Sequence, residues 1–223
     1  MTDQNTHAEG RKVALEDRVS EGDRLFSPSA ARNRDAIRDA FLAHMPLEGA
    51  VLEIGAGTGE HGVHIAGAAK GLQWRLGDPD PASRRSIAAW IATSGLDNIS
   101  GPHEIDVSTD DWDVDAYAPF AGLVSVNMIH IAPFTAAAGL FAGAGKHLRS
   151  DGKLFLYGPF SRDGRHIAPS NAAFDESLKT RDPRWGVRDL DRDIAPLAEK
   201  HGLVLDIVVE MPANNLSVIF ARR

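Results

Sequence analysis

The chain of 223 residues contains no cysteine. Disulfide bonds, thiolate metal sites and cysteine nucleophiles are therefore excluded. No apolar run approaches the roughly 20 residues that a membrane-spanning helix needs. The first thirty residues are polar and charged and lack the apolar core of a signal peptide. We expect a cytoplasmic protein with no membrane partner.

Positive charge is also scarce. The sequence has 24 Lys and Arg against 31 Asp and Glu, which gives a formal net charge of -7. An acidic surface repels phosphate backbones, so we expect no nucleic-acid partner. Apolar residues make up 43% of the chain, the ordinary proportion for a globular protein.

The central part of the chain alternates between short apolar runs and small-residue helical stretches. Alternation of this kind predicts an α/β fold: a Rossmann-like, doubly wound sheet with helices on both faces. The last two of seven predicted strands are joined by the short turn Met211–Asn215 like a hairpin, so we expect an antiparallel last strand. We expect a flexible arm over residues 1–24 and a single domain over residues 25–223. A long polar segment at about 158–193 predicts a lid-like insertion. The predicted strands are 49–54, 72–76, 101–107, 120–127, 152–157, 203–210 and 216–221.

A glycine-rich turn, Gly55-Ala56-Gly57-Thr58-Gly59, lies between a predicted strand and a predicted helix. Glycines there permit a tight turn and close approach of a ligand, and the free amides of the helix favour an anionic group. A tight turn without a ligand remains the alternative. A dinucleotide fingerprint needs glycine where this chain has Glu60, and an acid there would repel a pyrophosphate. S-adenosylmethionine, with a carboxylate and an ammonium, fits better.

Three acids lie at the predicted carboxyl ends of parallel strands, the edge where open α/β sheets bind ligands. Glu53 could attract an ammonium or order the loop. Asp78 occupies the position that commonly bonds ribose hydroxyls, and Asp106 the position that often meets an adenine amino group. Asp80 could bind a ligand or simply cap the next helix.

Histidines offer candidates for acid–base chemistry or for a metal site. His130 follows the fourth strand of the predicted domain and could act as a base, although a structural histidine fits equally well. His61 and His64 resemble half of a metal site. No convincing third ligand accompanies them, so we expect no metal.

Several longer motifs make the chain resemble the class I S-adenosylmethionine-dependent methyltransferases, and more closely the family of methyltransferase-like protein 26. The resemblance covers about residues 24–223. One departure is Ala121-Gly122, where an acid usually opens the strand. The matching stretches are Phe26-Ser27-Pro28, Arg32-Asn33, Val51–Gly59, Asp78–Pro81, Asn127–Ile131, Leu156–Phe160, Pro169–Asn171, Asp182–Gly186 and Met211–Leu216.

The resemblance implies bound S-adenosylmethionine and methyl transfer to a small-molecule acceptor. By motif position it implies cofactor roles for Glu53, Gly55, Gly57, Asp78, Asp106 and Asn127. The full set of cofactor candidates adds Asn33, Ala56, Thr58, Pro79, Val107 and Met128. The candidate bases are Tyr157, His130 and His166. The candidate acceptor contacts are Arg32, Arg162, Asn171, Trp185, Arg188 and Asp189.

Two other functions stay open at this point. One is a non-catalytic module that binds S-adenosylmethionine and acts through a protein partner. The other is a nucleotide-dependent oxidoreductase, which Glu60 and the lack of a second fingerprint disfavour. The sequence determines neither the acceptor nor the oligomeric state.

Overall fold

The computed structural model describes residues 17–223. A seven-stranded sheet forms its centre, in the order β11-β12-β7-β6-β3-β4-β5. Strands β3 to β7 pair in parallel, and β12 runs antiparallel to both β7 and β11. The predicted doubly wound, seven-stranded fold is confirmed. The strands are β3 (Gly49–Ile54), β4 (Leu72–Gly77), β5 (Ile99–His103), β6 (Phe120–Val126), β7 (Leu148–Gly158), β11 (Leu203–Met211) and β12 (Asn215–Arg222).

Helices cover both faces of the sheet because neighbouring residues of a strand point to opposite sides. Leu123 packs in the core layer beneath one set of helices, and Val124 packs in the other layer. The helices are α1 (Pro28–His44), α2 (Glu60–Ala68), α3 (Pro81–Ser94), α4 (Phe134–His147), α5 (Pro169–Arg181) and α6 (Ala195–Lys200).

Local sequence explains where the helices beside the glycine-rich turn begin. Ser27 caps α1 by accepting a hydrogen bond from the amide of Ala30, and proline occupies the first turn. Asp80 caps α3 in the same way, with its Oδ2 atom 2.7 Å from the Ser83 nitrogen. The capping role of Asp80 is confirmed, and a ligand role for it stays a prediction.

An N-terminal hairpin precedes α1. It consists of β1 (Val19–Glu21) and β2 (Arg24–Phe26), for which the sequence provided no strand signal. It docks on α3: the Ser86 hydroxyl accepts from the Leu25 amide at 2.9 Å, and Phe26 packs edge-on against Trp90. Part of the predicted arm is thus a docked hairpin, and its first sixteen residues lie outside the described chain.

The segment at 158–193 has secondary structure of its own. It contains α5 and a small sheet of β8 (Phe160–Arg162), β9 (Arg165–His166) and β10 (Arg188–Asp189), followed by a π-helical turn at Leu190–Ile194. Two buried carboxylates hold it together. Asp189 accepts hydrogen bonds from the hydroxyl of Ser161 and the amides of Gly164, Asp191 and Arg192, and Asp175 accepts one from the amide of Val187.

Between residues 17 and 223, no helix has both the length and the hydropathy to cross a membrane.

Candidate functional site

A cavity of about 1300 Å3 opens at the carboxyl ends of β3, β4, β5 and β6. It is the edge at which open α/β sheets bind ligands. All twelve cofactor candidates line it, from five separate stretches of the chain: Asn33, then Glu53, Gly55, Ala56, Gly57 and Thr58, then Asp78 and Pro79, then Asp106 and Val107, and finally Asn127 and Met128.

The glycine loop, Gly55–Gly59, connects β3 to α2 along the cavity wall. Gly57 has a φ of 59°, a left-handed conformation that disfavours a branched side chain. At Gly55 a Cβ atom would lie 2.8 Å from Cγ of Met128, so only glycine fits this close contact. The loop therefore presents bare backbone to the cavity, as a surface for close ligand approach requires.

Asp78 holds the glycine loop in place. Its Oδ2 atom accepts a hydrogen bond from the Gly57 amide at 2.9 Å, and its Oδ1 atom accepts one from the Asp80 amide at 2.9 Å. Burial raises the pKa of Asp78, while these two backbone hydrogen bonds and the nearby charge of Arg18 oppose the rise. Asp78 thus couples the ends of β3 and β4, and its carboxylate also faces the cavity.

Glu53, at the end of β3, is a buried acid with one neutral donor. Trp74 Nε1 donates to its Oε2 atom at 3.0 Å. Burial raises the pKa of Glu53 to about 8; the charge of Asp78 adds to the rise and the Trp74 hydrogen bond opposes it. The carboxyl is therefore mostly protonated at neutral pH. A cation bound beside it would favour the ionised form.

Glu60 does not face the cavity as a free charge. Its Oε2 atom accepts hydrogen bonds from the Ser27 amide at 2.7 Å and from the Thr58 hydroxyl at 3.0 Å. This buried carboxylate fastens the start of α1 to the glycine loop. It still places an acid at the start of α2, where a pyrophosphate-binding loop would have none.

Asp106 and Val107 follow β5, which ends at His103, earlier than the predicted strand. Asp106 is exposed, and its Oδ1 atom accepts a hydrogen bond from the Ser108 amide at 2.8 Å.

Asn127 follows β6 with a φ of 61°, and its backbone amide donates a hydrogen bond to the Tyr157 carbonyl at 2.8 Å. This turn brings the neighbouring Met128 against the glycine loop.

None of the three predicted bases lines the cavity. Tyr157 is buried, and its hydroxyl bonds to Asn33; burial raises the pKa of Tyr157, while this bond opposes the rise. His130 is buried against Phe160, and burial and the charge of Arg188 lower the pKa of His130 to about 3. A role as base does not fit this environment.

His166 is the third predicted base, and it does not line the cavity. It lies in a separate cleft, where its Nε2 atom is 3.3 Å from Oδ2 of Asp175.

Of the predicted acceptor contacts, only Trp185 lines the cavity. The remaining side chains bond within the fold. Arg188 donates to the carbonyls of Ile129 and Ala132. The others make the following contacts: Asn171 to the Asn214 carbonyl, Arg162 to Asp191, Arg32 to Ser29, and Asp189 to the hydroxyl and amides named above.

Several wall residues had no predicted ligand role. They are Arg18 beside the glycine loop, His61 on α2, and Arg181, Asp182 and Arg184 near the end of α5. A signal existed for the last group, because the motif Asp182–Gly186 was part of the resemblance. His61 donates from Nε2 to Oδ1 of Asn33 at 2.9 Å, whereas His64 contacts Asp35. Across residues 17–223 no group of three His, Asp or Glu could hold a metal ion.

The chain matches the sequence model of a family described as "Protein of unknown function (DUF938)" over residues 24–222. It belongs to this family. The finer resemblance to methyltransferase-like protein 26 stays a prediction.

Solved structures show the fold. TnmH superposes with a TM-score of 0.69 at 18% identity, covering 87% of this chain and 56% of its own. The S-adenosylmethionine-dependent methyltransferase SibL superposes with a TM-score of 0.70 at 18% identity. The match covers 87% of this chain and 55% of that protein. Human N-acetylserotonin methyltransferase, in complex with SAM, superposes with a TM-score of 0.69 at 12% identity. The match covers 87% of this chain and 52% of that protein. The chain spans little more than half the length of these proteins and has the methyltransferase fold.

Proposed function

We propose that the protein binds S-adenosylmethionine in the cavity and transfers its methyl group to a small molecule. The observation that carries this proposal is the cavity itself, whose wall gathers every predicted cofactor residue beside a bare glycine loop. Its volume of about 1300 Å3 exceeds the ~300–1000 Å3 of a typical single-ligand site, so a cofactor and an acceptor fit together.

The chemistry of the wall fits each part of the cofactor. Glu53 would receive the ammonium, and the free amides at the start of α2 would favour the carboxylate. Asp78 would accept from the ribose hydroxyls, with the loop already oriented by its bond to Gly57. Asp106 would meet the adenine amino group. Asn127 and Met128 would contact the remaining face.

When bound, S-adenosylmethionine supplies a methyl group already activated on a sulfonium, so the protein mainly has to align the acceptor and exclude water. Apolar side chains of the cavity wall can exclude water: Met128, Ile131, Pro133 and Trp185 all line the cavity. The fold of the solved methyltransferases supports this assignment. The acid at position 60, where a dinucleotide fingerprint needs glycine, favours it over a dinucleotide enzyme.

Calorimetric titration with S-adenosylmethionine and S-adenosylhomocysteine tests the proposal. We expect both to bind. Asp78→Ala removes the ribose acceptor and the support of Gly57, and hydrogen bonds to a charged group contribute roughly 1.5–3 kcal/mol, so affinity should fall about tenfold or more. Gly57→Val places a branched residue at a φ of 59° and should weaken binding similarly.

Asp151→Ala is the matched control, since Asp151 pairs with Arg149 on the exposed surface. It should bind like the unaltered protein. Thermal melts identify any variant that fails to fold. Absence of binding at millimolar cofactor, or unchanged affinity in both folded site variants, would refute the proposal.

A further inference from the structure

The cavity has chemically different ends. Around the glycine loop the wall carries three acids, Glu53, Asp78 and Asp106, against one cation, Arg18, and this excess of acids suits a cationic cofactor. The acceptor end, which we define as Arg181, Asp182, Arg184 and Trp185, comes from the end of α5 and the loop after it. This end carries two arginines and one acid. The charge pattern therefore favours a positive ligand at one end and a negative ligand at the other.

One arginine of the acceptor end is already paired. Arg184 donates from Nε and Nη2 to the two carboxylate oxygens of the buried Asp182, at 3.0 and 2.8 Å. Such a two-bond pair fixes the guanidinium plane but leaves no net charge. Arg181 is exposed and lines the same cavity, and it makes no ion pair within residues 17–223. Its charge is available to an anionic ligand.

Apolar side chains lie next to these charges. Trp185 is nearly buried and lines the cavity with Met128, Ile131 and Pro133. An indole ring and aliphatic carbons give a flat or aliphatic molecule a surface to pack on. The acceptor end is therefore suited to a molecule with an apolar body and one anionic group.

The cavity wall also lacks a good base among its described residues. It contains no lysine and no tyrosine, and His61 is its one histidine. Nε2 of His61 is bonded to Asn33, and burial, together with the charges of His64 and Arg34, lowers the pKa of His61 to about 4. Glu53 is bonded to Trp74, and Asp78 to two amides. An acceptor that arrives already ionised needs no base from these side chains.

We propose that the acceptor is a small carboxylic acid with an apolar body, methylated on a carboxylate oxygen to give a methyl ester. This inference rests on the proposed function. The carboxylate oxygen forms a bond to the methyl carbon, the carbon–sulfur bond breaks, and its electron pair stays on sulfur. The carboxylate and the sulfonium are both neutralised and no proton moves. Arg181 orients the acid through one oxygen and leaves the other free to react.

The first experiment measures binding to protein saturated with S-adenosylhomocysteine. The probes are phenylacetate, indole-3-acetate and hexanoate, each compared with its primary amide. We expect at least one acid to bind about tenfold or more tightly than its amide, because a charged group strengthens the hydrogen bonds that it makes. Arg181→Gln should remove this preference. Arg165→Gln, an exposed position outside the cavity, should keep it.

The second experiment incubates every acid that binds with methyl-labelled S-adenosylmethionine. The expected product is an ester that releases labelled methanol in alkali. Amides binding as well as acids, no probe binding, an unchanged preference in Arg181→Gln, or no alkali-labile product would each overturn the carboxylate assignment. Failure of S-adenosylhomocysteine to bind in the first step would instead overturn the proposed function, so the two failures are distinguishable.

Discussion

Replacing Glu53 by glutamine should stabilise the protein at alkaline pH. Glutamine has the same shape, keeps an oxygen for Trp74 Nε1, and resembles the protonated acid. The folded protein raises the pKa of Glu53 from 4.5 to about 8, mainly by burial. At about 1.4 kcal/mol per pKa unit, the ionised carboxylate destabilises the fold by about 5 kcal/mol at most. Water entering the cavity reduces this figure, and we expect about 2–4 kcal/mol.

The sign follows from linkage. Below pH 4.5 the carboxyl is protonated in both the folded and the unfolded chain. As pH rises toward 8 the unfolded chain loses this proton first, so stability that is present at pH 4.5 is lost by the time the pH passes 8. The glutamine variant has no such proton. Its free energy of unfolding should lie within about 1 kcal/mol of that of the unaltered protein at pH 5 and exceed it by about 2–4 kcal/mol at pH 9.

Urea unfolding between pH 5 and 9 checks this prediction, with Glu199→Gln as the control because Glu199 is exposed. The control should follow the unaltered protein at every pH. If the free energy of unfolding changes with pH in the same way for Glu53→Gln and for the unaltered protein, the prediction is refuted. The same variant should bind S-adenosylmethionine more weakly, because glutamine cannot become the anion that an ammonium requires.

Two further substitutions test the packing and the polar framework. Gly143→Ala places a Cβ about 2.0 Å from the Trp112 ring and should lower the free energy of unfolding by about 1–3 kcal/mol. Gly67→Ala places a Cβ at an ordinary van der Waals distance, 3.9 Å from Cδ1 of Leu96, and should raise the free energy of unfolding by about 0.5–1 kcal/mol. Denaturant unfolding measures both, and equal effects would contradict the packing.

Burial raises the pKa of Asp189, but the hydrogen bonds that its carboxylate accepts lower the pKa by more, and the bond from the Arg192 amide contributes most. The pKa of Asp189 is therefore below its ordinary value. The ionised carboxylate therefore stabilises the fold at every pH above the pKa that Asp189 has in the unfolded chain. This stabilisation is lost as the pH falls through the lower pKa that Asp189 has in the folded protein. Asp189→Asn should therefore cost about 1–3 kcal/mol at pH 7 and less below pH 4; a loss independent of pH would contradict this.

The sequence was most informative where structure depends on short repeating patterns. Apolar runs of strand length alternate with helical stretches between Gly49 and Tyr157, and this alternation predicted the parallel part of the sheet. The antiparallel direction of β12 was predicted from the short turn that joins the last two apolar runs. The acids at strand ends and the glycine loop were predictable as one site because the carboxyl ends of parallel strands share an edge.

The elements that the sequence did not reveal bury polar groups or form only by docking. On α5 the buried residues at helical spacing are Asn171, Asp175 and Leu178, so the helix has almost no apolar periodicity to detect. The hairpin before α1 has strands of three residues, and its packing depends on Ser86 and Trp90 from α3.

The same distinction between sequence and tertiary structure applies to the chemistry of the site. The sequence alone predicted that the glycine loop and the acids at the strand ends share one edge of the sheet, because the carboxyl ends of parallel strands lie together. Only the tertiary structure decided that Glu53 is mostly neutral, that His130 is buried and poorly basic, and that Arg181 faces the cavity without an ion-pair partner in the described chain. Protonation and free charge depend on burial and on neighbours far away in sequence, and no local pattern records these.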